Sequence, residues 1–83
     1  MEVPKELQMA IANDNQQIKA IEVVYDDGEI IKGFIASAKF SPLDVVICKH
    51  VVPTGVNPRV FLDTEKAIKI SLIYYSGEIR IFE

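Results

Sequence analysis

The stretch that decides the fold spans residues 20–47 and reads AIEVVYDDGEIIKGFIASAKFSPLDVVI. It contains a β-branched segment up to Tyr25, the pair Asp27-Gly28, a longer apolar segment, and a third apolar segment after Pro42. Asp-Gly supplies the positive φ angles of a tight hairpin turn, and β-branched residues favour strands. The stretch therefore predicts a three-stranded antiparallel meander around which the rest of the chain closes.

A two-residue loop in this hairpin sets the strand register. It pairs Val24 with Ile31 and Ala20 with Ile35 on one face. The other face then carries Ile21, Val23, Tyr25, Ile30 and Phe34. Because both faces are apolar, both need cover. Gly33 in the middle of the second strand indicates a sharp bend or a close backbone approach, as where a small barrel curls over itself.

The remaining chain completes a single mainly β domain over residues 1–83. Leu7, Ala10 and Ile11 lie at helical spacing and predict a short helix at about 4–12. Further strands are predicted at 43–50, 59–62, 67–75 and 78–82, and residues 53–58 form the clearest loop, a candidate binding loop by position. The expected fold is an SH3-like barrel of five or six strands, at about 18–83, with an N-terminal helix.

The final hairpin predicts a surface for self-association. A two-residue loop at Ser76-Gly77 places on the core face Ile68, Ile70, Leu72, Tyr74, Ile79 and Ile81. The opposite face carries Ile73, Tyr75 and Phe82, too apolar to stay in water and too many for the short helix to cover. These three residues are the predicted homo-oligomer interface.

Composition and charge exclude several classes of function. The chain is 49% hydrophobic and 25% charged, with a net charge of −3 that disfavours nucleic acid. No apolar run approaches the roughly 18 residues of a membrane span. A single cysteine and the absence of a basic, apolar leader indicate a cytoplasmic protein.

Candidate reactive residues are few. Cys48 and His50 alternate on a predicted strand and therefore share a face, which makes them the two candidate metal ligands. Two ligands do not complete a site, so an ordinary thiol and imidazole are the favoured interpretation, and no metal or cofactor is expected. Phosphate-binding loops, zinc spacings and nucleophile elbows are absent from the sequence, which predicts a protein that is not an enzyme.

One resemblance adds to this interpretation. Residues 27–35, DGEIIKGFI, resemble the opening of the first motif of the Sm-like family, and residues 43–47, LDVVI, resemble its end. Residues 60–62, followed by Ile68 and Ile70, are similar to the second motif. The resemblance implies a small barrel preceded by a helix. The RNA pocket that the resemblance implies is built from an asparagine in the third strand and an Arg-Gly pair after the fourth. At those places this chain has Asp44 and Asp63-Thr64. The two aspartates repel a phosphate backbone.

Together these features predict a non-enzymatic small β-barrel that acts as a self-associating binding or assembly module. The identity of any protein partner is left open. The alternative is single-stranded RNA binding by an Sm-like ring protein, and it rests on the motif resemblance alone.

Overall fold

The computed structural model describes residues 1–50 and 58–83. It has one helix and six strands, with the following bounds: α1 Lys5–Asn13, β1 Ile18–Tyr25, β2 Ile30–Lys39, β3 Asp44–Lys49, β4 Arg59–Phe61, β5 Ala67–Tyr74 and β6 Ile79–Phe82. The predicted mainly β class with a short N-terminal helix is confirmed. Of the predicted binding loop 53–58, all but Pro58 lies outside the described residues.

Helix α1 begins after Pro4, whose fixed φ suits the start of a helix. Its buried side chains are Leu7, Ala10 and Ile11, the three residues whose spacing predicts the helix. The helix ends where the backbone N–H of Asp14 donates to the Ala10 carbonyl at 2.8 Å. One apolar stripe of α1 therefore packs on the sheet.

The six strands form one antiparallel sheet in the order β4-β3-β2-β1-β5-β6. Strand β1 lies at the centre, between β2 and β5, and β4 and β6 are the two edges. Among the described residues β4 and β6 are not paired, so the sheet is open and a closed barrel is not seen. One cluster of buried side chains unites α1 with residues of β1, β2, β3 and β5, so the helix and the sheet share a single core.

The first hairpin has a three-residue loop, Asp26-Asp27-Gly28, instead of the predicted two-residue loop. Gly28 has φ +90°, and Tyr25 and Glu29 are joined by a hydrogen bond of 2.8 Å from Tyr25 N to Glu29 O. This is the common hairpin in which a type I turn is followed by a left-handed glycine. The register is consequently shifted by one residue, and the predicted pairings Val24–Ile31 and Ala20–Ile35 are wrong.

The shift turns β2 over. Val23 pairs with Ile31, and Val24 pairs with Ile30. Ile31 is therefore buried in the core, while Ile30 and Phe34, predicted on the same face as Val23, are exposed on the other side.

The second hairpin departs from its prediction in the same way. Its loop is Tyr75-Ser76-Gly77, with Gly77 at φ +94° and Tyr74 N donating to Glu78 O at 2.9 Å. Ile73 pairs with Ile79, and Ile70 pairs with Phe82. Ile79 and Ile81, predicted in the core, are consequently exposed, while Ile70, Leu72 and Tyr74 are buried as predicted. Ile68, also predicted in the core, is exposed for another reason, because the β1–β5 register shifts between Ala67 and Lys69.

Gly33 confirms the predicted close approach of backbones. A methyl group added at this position would lie 2.0 Å from the carbonyl oxygen of Cys48 and 2.9 Å from the Cα atom of Lys49. Its φ is not positive, so lack of space alone requires glycine here. Strands β2 and β3 cross closely at this point because residue 33 has no side chain.

Candidate functional site

The outer edge of β6 is the first candidate site. Ile79 and Ile81 are 56% and 53% exposed, and Ile79 lies directly opposite the half-buried Ile73 of β5. We call Ile73, Ile79 and Ile81 the isoleucine patch. It lies on the face of the sheet that points away from the core, beside an edge that no described strand covers.

The three predicted interface residues do not share a face. Ile73 belongs to the isoleucine patch, and Tyr75 lies 70% exposed in the loop after β5. Phe82 is opposite the buried Ile70, packs against the core and has the Arg80 guanidinium 5.4 Å from its ring centroid. Its assignment to the same face as Ile73 is wrong because the hairpin loop has three residues. Self-association itself stays a prediction.

An open groove lined by residues of β1, β2 and the segments that flank the strands is the second candidate site. We call it the aromatic groove. It has a volume of about 390 Å³ and is lined by Asn15, Ile18, Lys19, Phe34, Ile35, His50 and Tyr75. The rings of Phe34 and His50 lie 6.2 Å apart at an angle of 46°. Phe34, His50 and Tyr75 all present exposed rings, which provide flat surfaces on which another planar group can stack.

The charge of the aromatic groove differs from that of the whole chain. Lys19 brings an ammonium group to the groove, and none of the described lining residues carries a carboxylate. In a chain of net charge −3, this groove has the local sign that suits an anion. The acids instead gather at the first hairpin loop, where Asp27 accepts a hydrogen bond of 2.9 Å from Glu29 N and another of 3.2 Å from the Lys66 ammonium.

Helix α1 and the last hairpin are tied together by a polar contact. The Tyr74 hydroxyl donates to Asp14 Oδ2 at 2.9 Å, and Arg80 lies 4.0 Å from the same oxygen. Burial of the phenol, followed by its hydrogen bond to the Asp14 carboxylate, raises the pKa of Tyr74. The contact fixes the hairpin that carries the isoleucine patch against the end of α1.

The two candidate metal ligands lie next to Phe34. Cys48 is buried and is the cross-strand neighbour of Phe34, whereas His50 follows β3 and is exposed. Within residues 1–50 and 58–83, no group of three or more His, Cys, Asp or Glu side chains is placed to hold a metal ion. His50 contributes to the site as a ring of the aromatic groove.

Asp44 and Asp63 are the two acids at which this chain departs from the Sm-like resemblance. Val46 pairs with Phe61, and Leu62 N donates to the Val45 carbonyl at 2.8 Å. Continuing this register places Asp63 next to Asp44 at the end of the β3–β4 ladder. Both residues are exposed, so this corner of the molecule presents two neighbouring carboxylates.

Sequence reasoning missed the residues that matter most at both sites. The sequence pattern places Ile79 and Ile81 on the core face and gives no signal at Lys19. A three-residue loop with glycine last would have identified the isoleucines, since Tyr75-Ser76-Gly77 fits it as well as Ser76-Gly77 fits a two-residue loop. Lys19 lies where the β1–β5 register shifts between Ile18 and Ala20, an irregularity that no residue in this stretch signals.

The fold and the sites define a small open-sheet β protein with an aromatic groove and with an edge strand, β6, that no described strand pairs on its outer side. Comparison with protein-family models, with curated proteins and with solved structures finds no match for this chain. In the part of the chain that the structure describes, no helix has the length and apolar character needed to cross a membrane.

Proposed function

We propose that this chain is a non-enzymatic, cytoplasmic assembly module that associates with copies of itself. The proposal rests on one observation: no described strand pairs with the outer edge of β6, along which Ile79 and Ile81 are exposed. We also propose that its architecture is an SH3-like, Sm-like barrel. The N-terminal helix supports this, as does a central β1 that pairs with both β2 and β5.

The composition of β6 supports self-association. Monomeric proteins protect edge strands with proline, lysine, bulges or covering segments. The sequence IRIF has no proline or lysine, its pairing with β5 has no bulge, and its single charge, on Arg80, lies on the opposite face from the isoleucines. Removing the exposed half of each isoleucine from water contributes about 1 kcal/mol. Ile73 and the backbone groups at the edge add to this, and the contact favours a concentration-dependent assembly.

The test is the molar mass as a function of concentration. We expect light scattering to give a mass above the 9.3 kDa of one chain at high protein concentration. The double variant Ile79→Asp, Ile81→Asp should remain monomeric, since each carboxylate would have to lose its water at the contact. Ile30→Asp, Ile68→Asp is the matched control, because these isoleucines are 60% and 53% exposed elsewhere on the sheet.

The outcomes separate cleanly. Association that persists in the control and disappears in the β6 variant supports the proposal. A wild-type chain that stays at the monomer mass throughout the concentration series contradicts it. Equal loss of association in both double variants would place the contact somewhere other than β6.

A second candidate function is single-stranded RNA binding, and the aromatic groove is the observation that favours it. Phe34, His50 and Tyr75 offer stacking surfaces, and Lys19 offers a phosphate contact. The neighbouring carboxylates of Asp44 and Asp63 disfavour binding at the corner that the Sm-like resemblance indicates. RNA would therefore bind in the groove.

Titration of labelled oligo-U and oligo-A at low and high salt tests this candidate. We expect micromolar binding that weakens as salt rises and is reduced in Tyr75→Ala. Lys5→Gln, an exposed lysine on α1, is the control for general charge. No binding at low salt, or equal loss in both variants, removes the candidate.

A further inference from the structure

The hydrogen-bonding pattern of the last hairpin fixes which backbone groups of β6 point outward. Tyr74 N donates to Glu78 O, and the β5–β6 register continues with Leu72 opposite Arg80 and Ile70 opposite Phe82. Bonded and outward positions alternate along an antiparallel strand. The N–H and C=O groups of Ile79 and Ile81 therefore point away from β5, at the edge.

We infer that β6 pairs antiparallel with β6 of a second copy of this chain, about a two-fold axis that passes through Ile81. The inference rests on the proposed self-association and specifies its geometry. The two sheets then continue into one sheet of twelve strands, and the isoleucine patches of both copies lie on the same face.

The choice of a second copy follows from the self-complementarity of β6. With the axis at Ile81, each Ile81 lies opposite its own counterpart, and Arg80 lies opposite Phe82 of the other copy. The chain already makes an Arg80–Phe82 contact of 5.4 Å internally, so this cross-strand pair repeats a contact between the same two side chains. Identical strands paired in this way close the assembly with a single kind of interface.

The neighbouring axes at Arg80 and Ile79 are less favourable. An axis at Arg80 places two guanidinium groups directly opposite each other, which is destabilising. An axis at Ile79 places Ile81 opposite Gly77, a turn residue at φ +94° whose N–H is already bonded to the Tyr74 carbonyl. The axis at Ile81 uses the outward groups of both isoleucines without opposing like charges.

Pairing of β6 with the other edge strand, β4, is the main alternative. Strand β4 has three residues, Arg59–Phe61, against the four of β6. The contact would join two different surfaces and would close only if the rotation between copies generates a ring. The experiment below distinguishes the two arrangements.

Cross-linking through an engineered cysteine tests the register. The variants Ile79→Cys, Arg80→Cys and Ile81→Cys are each oxidised at a concentration where the wild type associates. Directly opposite, hydrogen-bonded positions have Cα atoms about 5.5 Å apart, which a disulfide spans. We expect Ile81→Cys to form a covalent dimer roughly tenfold faster or more than Ile79→Cys, whose two copies lie four residues out of register.

Two controls define the background. The wild-type chain carries Cys48 alone, which is buried and gives the rate without an engineered thiol. Ile68→Cys, exposed at the other end of β5, gives the rate of random collision.

Each outcome bears on a different claim. Fastest cross-linking at Ile81→Cys supports the inferred axis, whereas fastest cross-linking at residue 79 or 80 overturns it. If the chain associates but no β6 variant cross-links faster than Ile68→Cys, the pairing of β6 with β6 is wrong. A β4–β6 contact would give this result. The proposed self-association would then still stand. A wild type that stays monomeric overturns both.

Discussion

Gly33→Ala is the sharpest test of how the sheet is built. The added methyl carbon would lie 2.0 Å from the Cys48 carbonyl oxygen, whereas ordinary contacts begin at 3.4 Å. Strands β2 and β3 would have to separate by roughly 1.4 Å at this point, and backbone atoms on both sides leave no flexible side chain to move. The adjacent hydrogen bond of 3.1 Å from His50 N to the Lys32 carbonyl would be strained or broken.

We expect the variant to lose about 3 kcal/mol of the free energy of unfolding, the upper range for overpacking. A domain of this size has a total of about 4–12 kcal/mol, so the loss is large. It corresponds to a fall of about 12 °C or more in melting temperature. Circular dichroism during thermal unfolding measures the fall, and amide exchange at His50 reports the local opening of the β2–β3 ladder.

Gly28→Ala is the matched control, because it separates space from backbone conformation. A methyl group at Gly28 meets nothing within 4 Å, but its φ of +90° is unfavourable for alanine. The expected cost is about 1 kcal/mol, since the strain is partly offset by a less flexible unfolded chain. A Gly33→Ala variant that melts no lower than Gly28→Ala would refute the close-approach argument.

Two further predictions concern ionisable groups. Tyr74→Phe removes the hydroxyl that donates to Asp14 and should lower the free energy of unfolding by about 1 kcal/mol in urea titrations. Because the pKa of Tyr74 is raised above 10.0 in the folded state, the unfolded chain loses this proton first. Wild-type stability should therefore fall as pH rises above about 10, and the stability of Tyr74→Phe should fall less steeply. Equal slopes for the two proteins would contradict this. Lys66→Gln should raise the pKa of Asp27 relative to the wild type but keep it below 3.8, because Glu29 N–H still donates to the carboxylate; an NMR titration that reaches 3.8 would show that the ammonium alone lowers it.

The elements of this fold could be predicted from the sequence, but two of its faces could not. Spacing of Leu7, Ala10 and Ile11 located α1, and β-branched runs located the strands to within a few residues. The predicted buried faces of β2 and β6 are wrong because a glycine can close a two-residue or a three-residue loop equally well. A register shift of one residue then moves every side chain of the strand to the other face.

The slip was hidden by the sequences that follow each turn. In β2, Ile30 and Ile31 are neighbours, so either can be assigned to the core. In β6, Ile79 and Ile81 alternate with Arg80 and Phe82, and Phe82 is as suited to burial as the isoleucines. Only packing against the rest of the chain decides between the two choices, and it buries Ile31 and half-buries Phe82.

The central position of β1 has a consequence for synthesis of the chain. Its first neighbour, β2, follows immediately, but its second, β5, begins 42 positions after β1 ends, so that Val23 must wait for Ile70. At the pace of a ribosome this interval lasts about 2–8 s. Throughout it, β1 has one open edge and its apolar side chains lack half of their cover. A nascent chain arrested before β5 should therefore be unable to fold and should recruit a chaperone, whereas one arrested after β5 has emerged should not.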